Sequence, residues 1–124
     1  MRESISISRR NFSTEVTRGL GIPKGCARII EVVAMRGQKL SFRELSERVR
    51  ISERSLRSHV GLLVKKGILL REVALTRTRR LAYRYYIAPF GEIMHLVRKE
   101  LAGRLDRLKR LSTEILGTRR PAAG

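Results

Sequence analysis

The segment from Ser41 to Gly67 constrains the fold more than any other part of the chain. Ser41 followed by Glu44 is a capping box, in which the hydroxyl accepts a helical N–H and the carboxylate reaches back to the cap residue. Leu45 and Val49 stand four residues apart, which gives the predicted helix a narrow apolar face. The segment therefore begins with a short helix that packs by one side only.

A second helix is predicted directly after the turn at Arg50-Ile51. Ser52 has the side chain of a good N-cap, and Gly67 can take the left-handed conformation that ends a helix. The residues between them that recur at helical spacing, and that we expect to be buried, are Leu56, Val60 and Leu63. Two helices joined by so tight a turn are typical of a helix-turn-helix.

The outer face of the second helix is polar and basic. It carries Ser52, Arg54, Ser55, Arg57, Ser58, His59 and Lys65. A helix-turn-helix places this face in the major groove of DNA, so these residues are candidate DNA contacts. For each arginine a phosphate contact is the first expectation and a guanine the second, because phosphate contacts outnumber base contacts in protein–DNA complexes.

The net charge also favours a polyanionic partner. The 124 residues include 28 Lys and Arg against 11 Asp and Glu, a formal charge of +17, and nucleic acid is the commonest ligand for such a surface. An anionic membrane is a weaker alternative, because the chain has neither an apolar run of about 18 residues nor a signal peptide. A thermophile-like or archaeal-like composition can enrich arginine, which outnumbers lysine by 22 to 6, but would not by itself leave acids so scarce.

The sequence lacks catalytic and metal-binding signatures, so we expect a protein that is not an enzyme and uses no cofactor or metal. It has no Gly-rich phosphate loop, GxSxG elbow, CxxC or HxxxH spacing. The single cysteine, Cys26, excludes an intramolecular disulfide and is expected to be buried on the apolar side of a helix. This cysteine usage suits a cytoplasmic protein, which DNA binding would associate with the nucleoid.

The first 21 residues are predicted to form an N-terminal arm with a short helix. Ile5 to Ser8 alternate between apolar and polar residues, which indicates a strand or an ordered arm, and the helix is expected from Ser13 to Leu20. Pro23 suits the first position of a helix, because no N–H is needed there. We expect this first core helix to run from Lys24 to Arg36, with a short strand at Leu40–Phe42 after it.

The periodicity changes to that of strands after residue 67. Ile68–Leu75 and Leu81–Ala88 are rich in β-forming residues, and the segment between them is polar and cationic. The pair predicts a β-hairpin, the wing of a winged helix-turn-helix. Its candidate DNA contacts are Arg77, Thr78, Arg79 and Arg80. The alternative is a solvated hairpin end whose charges prevent edge pairing.

A long helix is predicted from Phe90 to about Leu116, between Pro89 and Gly117. At 1.5 Å per residue it would span roughly 40 Å, more than a small winged domain can cover. An apolar stripe with three- and four-residue steps runs along it, so its outer half needs a partner helix, and we expect coiled-coil homodimerisation. The predicted dimerisation residues are Met94, Val97, Leu101, Leu105, Leu108 and Ile115.

Taken together, these motifs resemble the winged helix-turn-helix regulators of the MarR, ArsR and archaeal TrmB families. The run from Ile51 to Leu69 is similar to their recognition helix and first wing strand, and Gly19–Lys24 is similar to the opening of a TrmB-type domain. Tyr85-Tyr86-Ile87 and Pro89 resemble the second wing strand and the turn into the last helix. The resemblance covers about residues 19–116.

The resemblance implies a homodimeric, DNA-binding transcription regulator. It places near base edges or phosphates Ser52, Ser55, Ser58 and His59, and at the minor groove Arg77, Arg79 and Arg80. Two residues depart from the pattern: Ala88 stands where a capping threonine is usual, and Gly61 falls in the middle of the recognition helix, where a better helix former is usual.

The expected fold is mainly α with a small β-hairpin, in four segments. These are an arm (1–21), a winged helix-turn-helix domain (22–89), a dimerisation helix (90–117) and a disordered tail (118–124). The expected partners are double-stranded DNA and a second copy of the chain, without a membrane, and no segment indicates an effector domain. Three alternatives stay open: a sequence-tolerant architectural protein of chromatin, a winged-helix ribosomal or RNA-binding component, and a protein–protein adaptor.

Overall fold

The computed structural model describes residues 2–35, 37 and 39–117, with side chains from residue 7 onward. The elements in chain order are α1 (Arg2–Leu20), α2 (Cys26–Ala34), β1 (Leu40–Ser41), α3 (Phe42–Val49), α4 (Glu53–Lys66), β2 (Leu69–Leu75), β3 (Leu81–Ile87) and α5 (Phe90–Leu116). This mainly α architecture with one small sheet confirms the predicted fold class. The tail predicted to be disordered, 118–124, lies outside the described residues.

The helix-turn-helix is formed by α3 and α4, where the sequence predicted it. The capping box of α3 is complete, since the Glu44 N–H donates to Ser41 Oγ and the Ser41 N–H to Glu44 Oε1, each over 3.1 Å. The bond from the Ser41 backbone lowers the pKa of the Glu44 carboxyl below its usual value. Leu45 and Val49 are buried, so α3 packs by the predicted narrow face.

A small antiparallel sheet with strand order β1-β3-β2 completes the winged domain. Strands β2 and β3 form the predicted hairpin, with a register that runs from Leu69↔Ile87 to Leu75↔Leu81. Leu69 and Tyr85 lie in the core, whereas Leu75 and Leu81 are exposed. The base of the hairpin is therefore anchored, and its outer half projects into solvent.

The first core helix, α2, is shorter than the sequence predicted. Pro23 does not open it: its carbonyl accepts the Cys26 N–H over 3.0 Å in a turn, and Gly25 is the N-cap. The preceding Ile22 is buried, which holds this turn against the core. Cys26 is fully buried as expected, and desolvation raises the pKa of its thiol to about 11.

The N-terminal segment is one helix of 19 residues, so the strand or arm expected at Ile5–Ser8 is wrong. The helix has the predicted C-terminal end but starts far earlier. It packs against α5, where the rings of Phe12 and Phe90 stack with their centroids 5.3 Å apart. A Cβ on Gly19 would lie 2.8 Å from Val97 Cγ1, so the missing side chain lets the helices approach closely. These tertiary contacts outweigh an alternation of only four residues.

Helix α5 has the predicted bounds, and its first half lies parallel to α1. Gly19 follows Phe12 by seven residues in α1, and Val97 follows Phe90 by seven residues in α5. Because the two contacts advance in the same direction along both helices, the helices are parallel. Arg104 ends the contact, donating to the Arg18 carbonyl over 3.4 Å. The α5 residue that the core buries is Ile93, which the predicted apolar stripe did not include. All residues from 105 to 117 are exposed.

Candidate nucleic-acid interface

The positive charge of the chain is concentrated in the winged domain. Residues 22–89 contain sixteen of the 28 Lys and Arg but only five of the 11 acids, which makes +11 of the net +17. Helix α4 and the β2–β3 hairpin with its loop carry nine of these sixteen cations. An anionic ligand would therefore be drawn to this domain rather than to α1 or α5.

Helix α4 is fixed at both ends by the residues that the sequence identified. Ser52 Oγ accepts the Ser55 N–H over 3.1 Å at the N-terminus. Gly67 takes the left-handed conformation, with φ 83°, at the C-terminus. The buried face consists of the three predicted residues, Leu56, Val60 and Leu63. The opposite face is consequently held at a fixed orientation in solvent.

The residues on the outer face of α4 differ in their exposure and in their contacts. Arg54, Ser58 and Lys65 are exposed, and among the described residues their side chains have no hydrogen-bond or ion-pair partner. Ser55 is also exposed, with its N–H engaged by the cap. Arg54, Ser58 and Lys65 are therefore available to an external ligand without the loss of a contact within the described chain.

Arg57 is exposed but not free. Its Nη2 lies 2.8 Å from Glu53 Oε1, and its guanidinium lies 4.7 Å from the centre of the Phe42 ring. The two contacts join the first turn of α4 to the start of α3. A phosphate or guanine would have to compete with the Glu53 carboxylate for this guanidinium.

His59 is half-buried and lies against the start of α2. A Cβ on Gly25 would lie 2.6 Å from His59 Nε2, so the imidazole occupies the space that any other residue at position 25 would fill. Of the predicted α4 contacts, His59 is thus the most enclosed. Sequence alone could not place it there, because Gly25 precedes it by 34 positions and shares no motif with it.

The wing tip is an ordered turn. The Thr76 N–H donates to the Arg80 carbonyl and the Arg79 N–H to the Thr76 carbonyl, both over 2.9 Å, and Thr76 Oγ1 accepts the Arg80 N–H over 3.1 Å. Arg79 is left-handed, with φ 57°, as the last residue of a three-residue hairpin loop often is. Arg77, Arg79 and Arg80 are exposed and have no side-chain partner within the described chain. Thr78 bonds to Thr76 through their hydroxyls, over 3.1 Å.

Arg50 is a candidate contact that the sequence analysis did not select. It lies in the turn between α3 and α4 with φ 55°, and with Arg79 it forms the complete set of non-glycine residues at positive φ in the described ranges. Glycine would take this conformation more readily than arginine, by about 1 kcal/mol or more. The turn position two residues before Ser52 is the signal that could have identified it.

The predicted dimerisation residues are not equivalent. Val97 is half-buried against α1, and Met94 is 37% exposed. Leu101, Leu105 and Ile115 are exposed to 48%, 52% and 80%. Leu108 is also largely exposed, as are Leu111 and Leu116, which were not among the predicted contacts. The single chain thus leaves an apolar stripe open along the outer half of α5.

Metal-binding clusters and membrane-spanning helices are both absent from the described ranges. No cluster of three or more His, Cys, Asp or Glu there could hold a metal ion. None of the helices in the same ranges is long and apolar enough to cross a membrane.

Comparison with known proteins identifies the fold. No protein-family model and no curated protein matches the chain. A possible transcriptional regulator from Methanosarcina mazei superposes with a TM-score of 0.70 and 19% identity, over 80% of this chain and 83% of its own. A protein from the thermoacidophilic archaeon Sulfolobus tokodaii gives a TM-score of 0.61 and 16% identity, over 80% and 92%.

Two further solved structures are similar to the chain. A MepR variant of S. aureus, solved with an oligodeoxyribonucleotide, superposes with a TM-score of 0.54 and 14% identity, over 90% of this chain and 78% of its own. A MarR family transcription regulator gives a TM-score of 0.51 and 21% identity, over 85% and 68%. At such identities the likeness concerns the fold. The chain has the winged-helix fold of MarR-type regulators.

Proposed function

We propose that the protein is a homodimeric DNA-binding transcription regulator, with α4 in the major groove and the wing tip at the minor groove. The observation that carries this proposal is a set of cations on α4 and the wing that have no ion-pair partner among the described residues, on a domain of net charge +11. They are Arg54, Lys65, Arg77, Arg79 and Arg80. Cations without an acidic partner on their own chain are available to phosphates. The DNA-bound MepR structure, which shares the fold, supports the same assignment.

The homodimer is proposed from the outer half of α5. Twelve residues follow Arg104 in this helix, about 18 Å at 1.5 Å per residue, and α1 covers none of them. Leucines in water along such a length favour a second apolar helix, and a second copy of α5 supplies one. Two copies related by a two-fold axis would present two α4 helices to half-sites about 34–36 Å apart.

Selection of bound fragments from a genomic DNA library tests the DNA-binding function. We expect enrichment of sequences with two related half-sites about one helical turn apart. Arg54→Ala should weaken binding to them and make the salt dependence shallower by about one unit of slope. Lys99→Ala is the matched control: it removes one charge from the side of α5 opposite Leu101, and binding should be unchanged.

Leu108→Glu tests the dimer. A charge within the open stripe should convert the protein to a monomer in sedimentation equilibrium and lower its affinity for a two-half-site duplex. Lys99→Glu places the same side chain on the far side of the helix and should leave a dimer. A wild-type protein that sediments as a monomer at micromolar concentration would contradict the proposal.

A sequence-tolerant architectural binder is the second candidate, because serine contributes much of the outer face of α4 and Arg57 is held by Glu53. In that case the library would show salt-dependent binding without enrichment. Preferential binding of duplex RNA over DNA would favour the ribosomal or RNA-binding alternative. Equal binding by wild type and Arg54→Ala would favour an adaptor role.

A further inference from the structure

The wing hairpin has an apolar face that continues past the hydrophobic core. Alternate residues of β2 and β3 share one face, and the register pairs Val73 with Tyr83 and Leu75 with Leu81 on it. Tyr85, further down the same face, is buried. Leu75 and Leu81 are 66% and 76% exposed, and no described residue covers them.

This face lies on the side of the hairpin that looks toward α4. Arg71 and Tyr85, which belong to it, line a groove whose other wall is formed by Val60 and Gly61 of α4. From Tyr85 to Leu81 the strand advances four residues, about 13 Å. The leucine pair therefore extends the α4 side of the molecule outward, toward the surface that we assign to DNA.

The base of the hairpin is clamped, so the leucine pair is held at a defined position. Arg71 stacks on the Tyr83 ring, with its guanidinium carbon 4.3 Å from the ring centre. On the opposite face, Lys39 Nζ lies 2.9 Å from Glu72 Oε2. These contacts join the hairpin to its own strands and to the segment before β1.

The residues around Leu75 and Leu81 determine which kind of partner can cover these two side chains. Leu75 and Leu81 directly flank the Thr76–Arg80 loop, whose three arginines have no acidic partner in the described chain. A second copy of the hairpin would bring two sets of arginines together, which disfavours self-association at this patch. Duplex DNA offers phosphates to the arginines, and sugars and stacked bases to apolar side chains. It can therefore contact both the charged loop and the leucine pair.

We propose that Leu75 and Leu81 form an apolar wedge that enters the minor groove and bends the bound DNA. Apolar side chains inserted from the minor groove partly unstack a base step and kink the duplex, while arginines at the edge hold the phosphates. The wedge adds a structural activity, DNA bending, to the proposed regulator and rests on that proposed function. It also gives specificity for deformable steps without hydrogen bonds to bases.

The test measures the bend of the bound DNA separately from the affinity of the protein for it. A duplex of about 30 base pairs, taken from the library selection and labelled at both ends, reports its end-to-end distance by energy transfer. Leu75→Thr/Leu81→Thr removes the apolar surface and keeps strand-forming residues. Leu75→Met/Leu81→Met retains the apolar surface. Ala74→Thr/Ala82→Thr adds the same polar residue to the opposite face, one register position away.

We expect wild type, the methionine pair and the alanine-position control to shorten the end-to-end distance on binding. Leu75→Thr/Leu81→Thr should lose at least half of that change and keep its affinity within about tenfold, because the arginines remain. Binding by wild type without shortening would overturn the wedge and leave the proposed function intact. Equal bending by the threonine pair, or altered sedimentation of that variant without DNA, would also overturn it. Failure of wild type to bind any duplex would remove the proposed function itself.

Discussion

Helix α4 and the wing expose comparable sets of cations but are held in different ways. Helix α4 is tied to the core by three buried side chains, capped by Ser52, and has one of its two outward arginines bound to Glu53. The wing is anchored only at its base, and its three tip arginines have no partner in the described chain. Helix α4 carries four cations and the hairpin with its loop five, so a count of charges would rank the two regions almost equally.

If the protein binds DNA as proposed, the two regions differ in the interactions that binding must displace. At Arg57 a phosphate would replace an existing carboxylate contact, whereas at Arg77 or Arg80 it would replace water. Stability and binding should therefore separate: substitutions in α4 act on both, and substitutions in the wing act mainly on binding. The following substitutions test that separation.

Leu56→Ala should have the largest effect on stability. Leu56 is fully buried between α4 and the core, and truncation of such a leucine costs about 2–5 kcal/mol. Leu81→Ala removes the same atoms from a side chain that is 76% exposed, so we expect a change within about 0.5 kcal/mol. Urea unfolding followed by circular dichroism measures both. Similar losses for the two variants would mean that the wing contributes to the core more than its exposure indicates.

Ser52→Ala should lower the free energy of unfolding by about 1 kcal/mol, because the Ser55 N–H loses its capping oxygen. The counterpart in the wing is Thr76→Ala, which removes the acceptor for the Arg80 N–H. That N–H is exposed and can bond to water, so we expect a loss of about 0.5 kcal/mol or less. The same urea titration compares the two, and a larger loss at Thr76 would reverse the ranking of the two regions.

Arg79→Gly should stabilise the protein slightly while weakening DNA binding. Glycine relieves the left-handed conformation at φ 57°, and we expect a gain of up to about 0.5 kcal/mol. The lost guanidinium should make the salt dependence of binding shallower by about one unit. Arg50→Gly, at φ 55° in the helix-turn-helix, is the matched comparison in the other region. If both glycine variants bind DNA like wild type, neither arginine is a contact.

Glu53→Gln should change stability least. An exposed pair four residues apart on a helix contributes a few tenths of a kcal/mol. The substitution frees Arg57 and removes a negative charge from the surface proposed to face DNA, so the affinity for DNA should rise and the salt dependence should steepen. Glu47→Gln removes a similar partner from Arg43 on α3 and serves as control. Unchanged affinity for Glu53→Gln would show that Arg57 does not face the duplex.

Local signals were sufficient to predict most of the winged domain. The capping box at Ser41, the N-cap at Ser52 and Gly67 define α3 and α4 by bonds within a few residues, and Pro89 and Gly117 stand at the two ends of α5. These features depend on neighbours in the sequence, so the sequence alone was enough.

The errors arose where distant contacts decide the outcome. Helix α1 forms in place of a strand because it packs on α5, some 78 residues later in the chain. Ile93 was missed because the predicted apolar stripe followed the spacing of leucines that lie on the solvent side of α5. The contacts of Arg57 with Phe42 and of His59 with Gly25 likewise join separate elements, so no local sequence motif predicts them.

The parallel contact between α1 and α5 also sets an order on folding during synthesis. The phenylalanine that covers Phe12 and the arginine that bonds to the Arg18 carbonyl are synthesised long after α1, and Arg104 follows Arg18 by 86 positions. Until then the α5-facing side of α1 is open to water, although α2 and the hairpin can already assemble. A ribosome-bound chain that has exposed residues up to Ala88, with α5 still inside the exit tunnel, should therefore hold a folded wing and an incompletely covered first helix.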